Sequence, residues 1–204
     1  MILVYLHGFR SSPASAKARQ LAAAVESLPV KGRPTLVVPA LPHRPARALD
    51  AIDAIVAGHG DEHLCLVGSS LGGFYATVAA ERHGRGAVLI NPAVRPDVAL
   101  RDHAGPQMNM HTGERFDVTP SHFDELAAMR VERITRPERY FLLAQTGDEI
   151  LDYRAALRFY AGACQFIQSG GSHAYEGFDA QTPAIFAFAG VADPQTPPRL
   201  LRCT

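Results

Sequence analysis

The sequence predicts an α/β protein in three layers, in which a mostly parallel sheet lies between two layers of helices. Short apolar runs of four to six residues recur along the chain, and helix-periodic segments separate most of them. These runs lack polar–apolar alternation, which is typical of strands buried on both faces of a parallel sheet. Alternation of strands and helices then places helices on both faces of that sheet.

Glycine, proline or polar residues bound each apolar run. Because the first run starts at residue 1, we expect the sheet to be trimmed at that edge. The six predicted strands are Met1–Leu6, Thr35–Val38, Leu64–Val67, Ala87–Ile90, Arg139–Ala144 and Ala163–Ile167.

Apolar residues at helical spacing predict the helices between these strands. Ser12 followed by Pro13 favours a helix start with Ser12 as the N-cap, and Leu21, Val25 and Leu28 recur along that helix. Further helices are indicated by Ala48, Ile52, Ile55 and Val56, by Leu71, Phe74, Tyr75, Val78 and Ala79, by Ala156, Leu157 and Tyr160, and by the run Pro183–Phe188.

Residues 93–136 interrupt this regular pattern. The stretch is polar, shows no obvious strand, and contains one predicted helix that begins at Thr119 and Pro120. At ~44 residues it is too long for a simple connection. We therefore expect either a decorated crossover or a small cap over the functional site.

The composition fits one domain. A length of 204 residues and a hydrophobic fraction of 47% are enough for a substantial core. We assign residues 1–190 to this domain and expect the Pro-rich residues 191–204 to form a flexible tail. The 20 basic and 20 acidic residues cancel, which argues against a protein that binds nucleic acid or a charged membrane surface.

The cysteine pattern and the hydropathy indicate the compartment. Cys65, Cys164 and Cys203 form no close pair, which argues against a disulfide framework, and we expect Cys65 and Cys164 to be buried. No run approaches the ~18 apolar residues of a membrane span, and the N-terminus shows no signal-type pattern. We therefore expect a cytoplasmic protein, and nothing in the sequence indicates an oligomeric state.

The strongest functional motif is Gly68-Ser69-Ser70-Leu71-Gly72, between the third strand and a helix-periodic stretch. Gly-x-Ser-x-Gly at a strand–helix corner is typical of a nucleophile elbow. A serine in such a strained turn leaves no room for side chains two residues away, and Gly68 and Gly72 occupy those positions. The motif predicts Ser70 as a nucleophile at a helix N-terminus, where free N–H groups favour negative charge. The alternative is a Gly/Ser-rich loop that only joins strand to helix.

A serine nucleophile needs an adjacent base. Of the nine histidines, only His173 follows the last predicted strand, within a Gly-rich loop. We predict that His173 is the base, and the alternative is a histidine on a surface loop. His7 ends the first strand and is predicted to brace the neighbouring loop.

The base must itself be oriented by an acid. Asp148 follows Thr146-Gly147 at the end of the fifth predicted strand and is the candidate, while Glu149 and Asp152 lie within reach along the chain. Asp148 could alternatively serve only as a helix cap. The order Ser70, Asp148, His173 is the order expected of an α/β-hydrolase.

An acyl-transfer site also needs two N–H donors for the oxyanion. The amide of Leu71, directly after the nucleophile, is one candidate, and the amide of Phe9, after the first strand, is the other.

We expect no metal and no cofactor. His103, His111 and His122 are irregularly spaced and match no metal-ligand motif. Met108 and Met110 could line an acyl pocket or simply fill a gap in the core.

Several motifs resemble the small bacterial YqiA-type esterases. The resemblance spans residues 1 to about 180. It implies an α/β-hydrolase fold, hydrolysis of carboxylic esters, and Ser70, Asp148 and His173 as a catalytic triad. It further implies short acyl esters, or acyl thioesters, as substrates. The motifs are His7–Pro13 with Ser15-x-Lys17-Ala18, Gly68–Ala76, Ile90–Ala93, Gln145–Tyr153 and Gly170–His173.

The sequence therefore predicts a serine esterase whose partner is a small-molecule ester with a short to medium acyl chain, cleaved through an acyl-enzyme. An acyl thioesterase or an acyltransferase would use the same three side chains. Outside enzymes, the alternative is a catalytically silent binding scaffold. Cleavage of a carbon–carbon bond is supported only by analogy with the fold.

Overall fold

The computed structural model describes residues 1–191 of the chain. Its strands are β1 (Ile2–Leu6), β2 (Thr35–Val37), β3 (Leu64–Ser69), β4 (Gly86–Ile90), β5 (Gly105–Met108), β6 (Arg115–Val118), β7 (Tyr140–Gln145) and β8 (Cys164–Gln168). Its α-helices are α1 (Ala16–Ser27), α2 (Pro45–Gly58), α3 (Leu71–His83), α4 (Pro96–Ala99), α5 (Pro120–Ala128), α6 (Tyr153–Phe159) and α7 (Thr182–Ala189).

Six of the strands that lie within residues 1–191 form one sheet, in the order β2-β1-β3-β4-β7-β8. Every pairing in this sheet is parallel. In this order β2 lies on one side of β1 and β3 on the other, so the direction in which the chain crosses the sheet reverses at β1. The helices that connect the strands therefore cover both faces. The α/β architecture and its six predicted strands are confirmed.

Alternate side chains of each central strand enter two separate cores. On β1, Val4 and Leu6 pack with residues of α2, α3 and α6 on one face. Leu3 and Tyr5 pack with α1 and α7 on the other face. Burial on both faces explains why these strands are continuously apolar.

The first helix begins later than the sequence predicts. Ser12 accepts a hydrogen bond from the Ala14 amide and so stabilises a turn before the helix. The N-cap of α1 is Ser15, whose hydroxyl accepts from the Ala18 amide. The prediction that Ser12 caps this helix is wrong, because its hydroxyl accepts from the amide two residues ahead, before the helix begins.

The stretch 93–136 contains an antiparallel hairpin that the sequence analysis did not predict. Strands β5 and β6 pair over Gly105–Met108 and Arg115–Val118. In β6, arginine, phenylalanine, aspartate and valine alternate, which is the signal that was missed. Its partner strand carries Pro106 and shows no such alternation. The predicted helix at Thr119 and Pro120 is confirmed as α5.

Cys65 and Cys164 are both buried, as predicted. Cys203 and residues 192–204 of the predicted tail lie outside the described residues. Over residues 1–191, none of the helices combines the length and apolar character that crossing a bilayer requires.

Leu89 lies at the centre of β4 and is fully buried. We expect Leu89→Ala to lower the free energy of unfolding by about 2–5 kcal/mol, because it leaves a cavity between the sheet and its helices. The matched control is Val30→Ala, since Val30 is 83% exposed, and it should change the free energy by less than about 0.5 kcal/mol. Urea unfolding of both variants measures this, and equal effects would contradict the assigned core.

Candidate active site

Ser70 occupies a sharp turn between β3 and α3. Its backbone lies at φ 56° and ψ −119°, a conformation that non-glycine residues rarely adopt. A Cβ atom on Gly68 would lie 2.2 Å from the Gly72 carbonyl oxygen, and one on Gly72 would lie 2.0 Å from the Leu6 carbonyl oxygen. No side chain fits at either position, so the turn requires both of the glycines that the motif singled out.

The structure brings Ser70, His173 and Asp148 into one line of hydrogen bonds. The Ser70 Oγ lies 3.0 Å from His173 Nε2. The His173 Nδ1 lies 2.9 Å from Oδ2 and 3.0 Å from Oδ1 of Asp148. Because a carboxylate only accepts, Nδ1 carries the proton and Nε2 is free to accept from the serine hydroxyl.

The two residues that follow Glu149 hold the Asp148 carboxylate in place through their main-chain amides. Its side chain is 2% exposed, and Oδ1 accepts from the amides of Ile150 at 2.9 Å and Leu151 at 2.8 Å. With the imidazole of His173, three N–H groups therefore donate to this carboxylate.

The two other acidic candidates have different contacts. Glu149 accepts from the main-chain amide of His173 at 2.9 Å, and this hydrogen bond lowers the pKa of its carboxyl. Asp152 is the N-cap of α6 and accepts from the Arg154 amide. Among the hydrogen bonds within residues 1–191, neither of these carboxylates contacts the imidazole ring, whereas Asp148 does.

Two buried amides that sequence analysis missed hold the loop of His173. Asn91 donates to the carbonyls of Ser172 at 2.9 Å and His173 at 3.2 Å, and accepts from the Gln145 amide at 2.9 Å. Gln145 is fully buried and accepts from the amides of Ser172 and Glu176. The detectable signal was a polar residue at the end of an apolar strand, since Asn91 follows β4 and Gln145 ends β7.

Lys17 holds the same loop from the side of α1. Its ammonium donates to the Ala174 carbonyl at 2.7 Å. Burial lowers the pKa of this ammonium, and the nearby charge of Asp148 partly offsets the effect. Lys17 belongs to one of the motifs that carry the family resemblance, but its position in the sequence alone predicts no role.

The two predicted oxyanion donors lie on either side of the elbow. Leu71 is the first residue of α3, so its amide has no partner within the helix. Gly8 brings the loop after β1 close to the elbow, because a Cβ on it would lie 3.2 Å from Ser70 Cβ. Among the hydrogen bonds of the described chain, the Phe9 amide donates to no other main-chain group.

His7 braces this oxyanion loop rather than facing Ser70. Its Nδ1 donates to the Gly8 carbonyl at 3.1 Å, and its Nε2 accepts from the Leu41 amide at 3.2 Å. Both ring nitrogens thus make hydrogen bonds while the ring carries a single proton, on Nδ1. Burial lowers the pKa of His7, in keeping with this neutral form.

The hairpin of β5 and β6 is attached to the same loop. Arg10 Nε donates to the Met108 carbonyl at 3.2 Å, and the Met110 amide donates to the Arg10 carbonyl at 2.9 Å. Asn109 Nδ2 donates to the Ser11 carbonyl at 2.8 Å. The hairpin therefore fixes the residues that follow Phe9. The methionines make these contacts through main-chain groups, and their side chains are largely exposed.

A small cleft opens beside the two oxyanion donors. It is lined by Phe9, Leu71 and Tyr75 and by the polar side chains of Arg10, Asn109 and Glu114. We refer to it as the oxyanion cleft. Its lining is thus a mixture of apolar and polar side chains.

The histidines of the 93–136 stretch have separate surroundings. His122 lies 3.2 Å from His43 through ring nitrogens, and the ring of His103 packs edge-on against Phe9. Within the described part of the chain, no three His, Cys, Asp or Glu side chains cluster as a metal site requires.

Several solved structures have a fold similar to that of this chain. A protein from Agrobacterium vitis S4, provisionally described as a hydrolase, is 19% identical, with a TM-score of 0.73 over 92% of this chain and 87% of that chain. A monoacylglycerol lipase from Paleococcus ferrophilus is 18% identical, with a TM-score of 0.67 over 93% and 94% of the two chains.

Alpha/beta hydrolase domain-containing protein 10 from mouse is also similar, at 15% identity and a TM-score of 0.68 over 90% of this chain and 87% of that chain. Identities this low establish the fold, which is that of the α/β-hydrolases. A family model described as "Uncharacterised protein family (UPF0227)" matches residues 2–190. The chain therefore belongs to the UPF0227 family, also called the YqiA family, as its motifs indicated.

Proposed function

We propose that this protein is a serine hydrolase that cleaves carboxylic esters of short to medium acyl chains through an acyl-enzyme. The observation that carries the proposal is the line of hydrogen bonds from Asp148 through His173 to Ser70, with a 3.0 Å contact at the nucleophile. A neutral serine is a weak nucleophile, and an adjacent imidazole that accepts its proton activates it. The similarity in fold to a lipase agrees with this chemistry but does not establish it.

Acylation begins when Ser70 Oγ attacks the ester carbonyl carbon. As the new C–O bond forms, the hydroxyl proton moves to His173 Nε2, and the carbonyl π electrons move onto the oxygen. Asp148 accepts from Nδ1–H throughout and so stabilises the imidazolium that forms.

The resulting oxyanion accepts from the amides of Leu71 and Phe9. Both donors are main-chain groups fixed before substrate binds, so little reorganisation is needed as the negative charge develops. The N-terminus of α3 adds favourable helix-dipole potential at the same position.

Collapse of the tetrahedral intermediate breaks the bond to the alcohol oxygen, which takes the proton from His173 Nε2. Water then replaces the alcohol, and His173 removes a proton from it as it attacks the acyl-enzyme. Release of the carboxylic acid restores the Ser70 hydroxyl.

A fluorophosphonate probe tests the nucleophile. We expect covalent labelling of the wild type and loss of labelling in Ser70→Ala, because the probe reacts with activated serines. The matched control is Ser69→Ala, since Ser69 is adjacent in sequence but buried in β3. Intact-protein mass spectrometry measures the added mass. Labelling that persists in Ser70→Ala would exclude Ser70 as the nucleophile.

Three conservative substitutions test which carboxylate orients His173. We expect Asp148→Asn to lower kcat for a short nitrophenyl ester by about 10⁴-fold, because an amide favours the wrong imidazole tautomer. Glu149→Gln and Asp152→Asn should lower kcat far less, since Glu149 accepts from the main-chain amide of His173 and Asp152 contacts groups of α6 instead of the imidazole. A larger loss in Glu149→Gln than in Asp148→Asn would reverse the assignment.

The brace at His7 predicts a pH dependence of stability. Burial lowers the pKa of His7 in the folded state, whereas the unfolded chain has an ordinary value of about 6.5. As pH falls through about 6.5, His7 binds a proton in the unfolded state before it does so in the folded state. The contribution of His7 to stability is therefore lost as the pH falls. Above that pH the contribution is constant.

We therefore expect the wild type to lose stability relative to His7→Gln as the pH falls below about 6.5, because glutamine does not titrate. Urea unfolding at several pH values measures the difference. The control is Val30→Ala, which removes no titratable group from an exposed position and should follow the wild-type profile. Parallel profiles for wild type and His7→Gln would show that His7 is not responsible.

A further inference from the structure

We infer that an apolar groove on the opposite side of Ser70 from the oxyanion loop binds the acyl chain of the ester. The substrates are then aliphatic esters whose chain lies on the acyl side rather than on the alcohol side. This inference rests on the proposed ester hydrolysis and assigns the two halves of the substrate to two different surfaces.

The groove is built from two segments that follow neighbouring strands. Residues 92–99 follow β4 and residues 150–155 follow β7, and together they enclose about 210 Å³. Val94, Val98, Ile150 and Leu151 supply much of the apolar lining. We refer to this surface as the acyl groove.

The sheet order places the acyl groove across Ser70 from the oxyanion cleft. Ser70 follows β3, the oxyanion loop follows β1 on one side of it, and the groove segments follow β4 and β7 on the other. An ester carbonyl at Ser70 therefore has its two substituents directed toward two different surfaces.

Both groove segments are directly bonded to the site. The Ala93 amide donates to the Ser70 carbonyl at 3.1 Å. The amides of Ile150 and Leu151 donate to Asp148. The groove thus begins within one residue of groups that hold the nucleophile and the acid.

The chemistry of the groove favours an uncharged chain. Its two charged residues are already paired: Arg95 contacts Asp97 at 3.0 Å, and Asp152 Oδ1 lies 3.7 Å from Nη1 of Arg154. Val98 and Ile150 remain 52% and 61% exposed. Large apolar side chains that face each other in water form a surface that an aliphatic chain would cover.

The oxyanion cleft is smaller and more polar than the acyl groove. It encloses about 40 Å³, and Arg10 and Glu114 line it together with aromatic side chains such as Phe116. A small volume with charged groups in its lining suits a short alcohol better than a long aliphatic chain. The groove's volume is also below the roughly 300–1,000 Å³ of pockets for drug-sized ligands. A single unbranched chain therefore fits it better than a bulky ring system.

Two isomeric esters separate the two surfaces. Ethyl hexanoate carries its chain on the acyl side, and hexyl acetate carries the same length of chain on the alcohol side. We expect wild type to favour ethyl hexanoate in kcat/KM, because each methylene that enters the groove adds about fourfold. Val98→Asp should lower the ratio of the two kcat/KM values about fifteenfold, the loss of contact with about two methylenes.

The ratio of two rates in one sample does not depend on how much of the variant is folded. Ile150→Ser removes a second groove side chain and should lower the same ratio. The control is Val30→Asp, an equally polar change at an exposed valine at the opposite edge of the sheet, and it should keep the wild-type ratio.

Three results would overturn the inference. One is an unchanged ratio in both groove variants, and another is a selective loss of hexyl acetate turnover, which would place the alcohol in the groove. The third is a wild-type dimer that Val98→Asp dissociates with no change in ratio, because a second copy would then cover the groove. Wild type that hydrolyses neither isomer and resists the fluorophosphonate probe would instead refute the proposed function itself.

Discussion

The close crossing of the chain at Ser70 is the constraint on which the site depends. The Ser70 backbone is held at a positive φ, which costs about 1–3 kcal/mol and persists only where the surroundings fix it. Here the Ser70 amide donates to the Ile90 carbonyl, and the Ser70 carbonyl accepts from the amides of Gly73 and Ala93. Three hydrogen bonds and the packing of Gly72 against Leu6 therefore keep the hydroxyl at the edge of the sheet.

The sheet then sets the positions of Asp148 and His173, the predicted acid and base. Neighbouring strands lie about 4.8 Å apart and all six end at the same edge, so loops after β3, β7 and β8 meet there. Spacing alone does not orient an imidazole. Asp148 contacts the ring itself. Asn91 and Gln145 fix the loop that carries the ring, because each joins the end of a strand to the main chain around His173. Their burial leaves these hydrogen bonds little competition from water.

Much of this arrangement could be predicted from the sequence, because its signals are local. The six central strands are continuous apolar runs, and the elbow requires glycine at two fixed positions. The hairpin of β5 and β6 could not be predicted with equal ease. Its strands are four residues long, and side chains such as Gln107 and Phe116 are only half-buried, so neither composition nor periodicity marks them clearly.

The hydrogen bonds that hold the loop of His173 could not be predicted from a local pattern. Asn91 and Ser172 are 81 residues apart in the chain, and no local pattern pairs them. A polar residue at a strand end indicates a polar contact but does not name its partner. The same holds for Ser12 and Ser15, either of which fits the start of a helix, and only the fold decides which hydroxyl is free to cap it.

The stretch between β4 and β7 contributes to the surfaces on both sides of Ser70. Its first residues line the acyl groove, while its hairpin binds the main chain directly after Phe9. Only residues 100–104 separate α4 from β5, so both parts belong to one short segment. On the proposed function, a change in the groove that shifts this segment would also act on the loop of Phe9, the predicted oxyanion donor. Chain-length preference and transition-state stabilisation would then depend on the same stretch of chain, because it contributes to both surfaces.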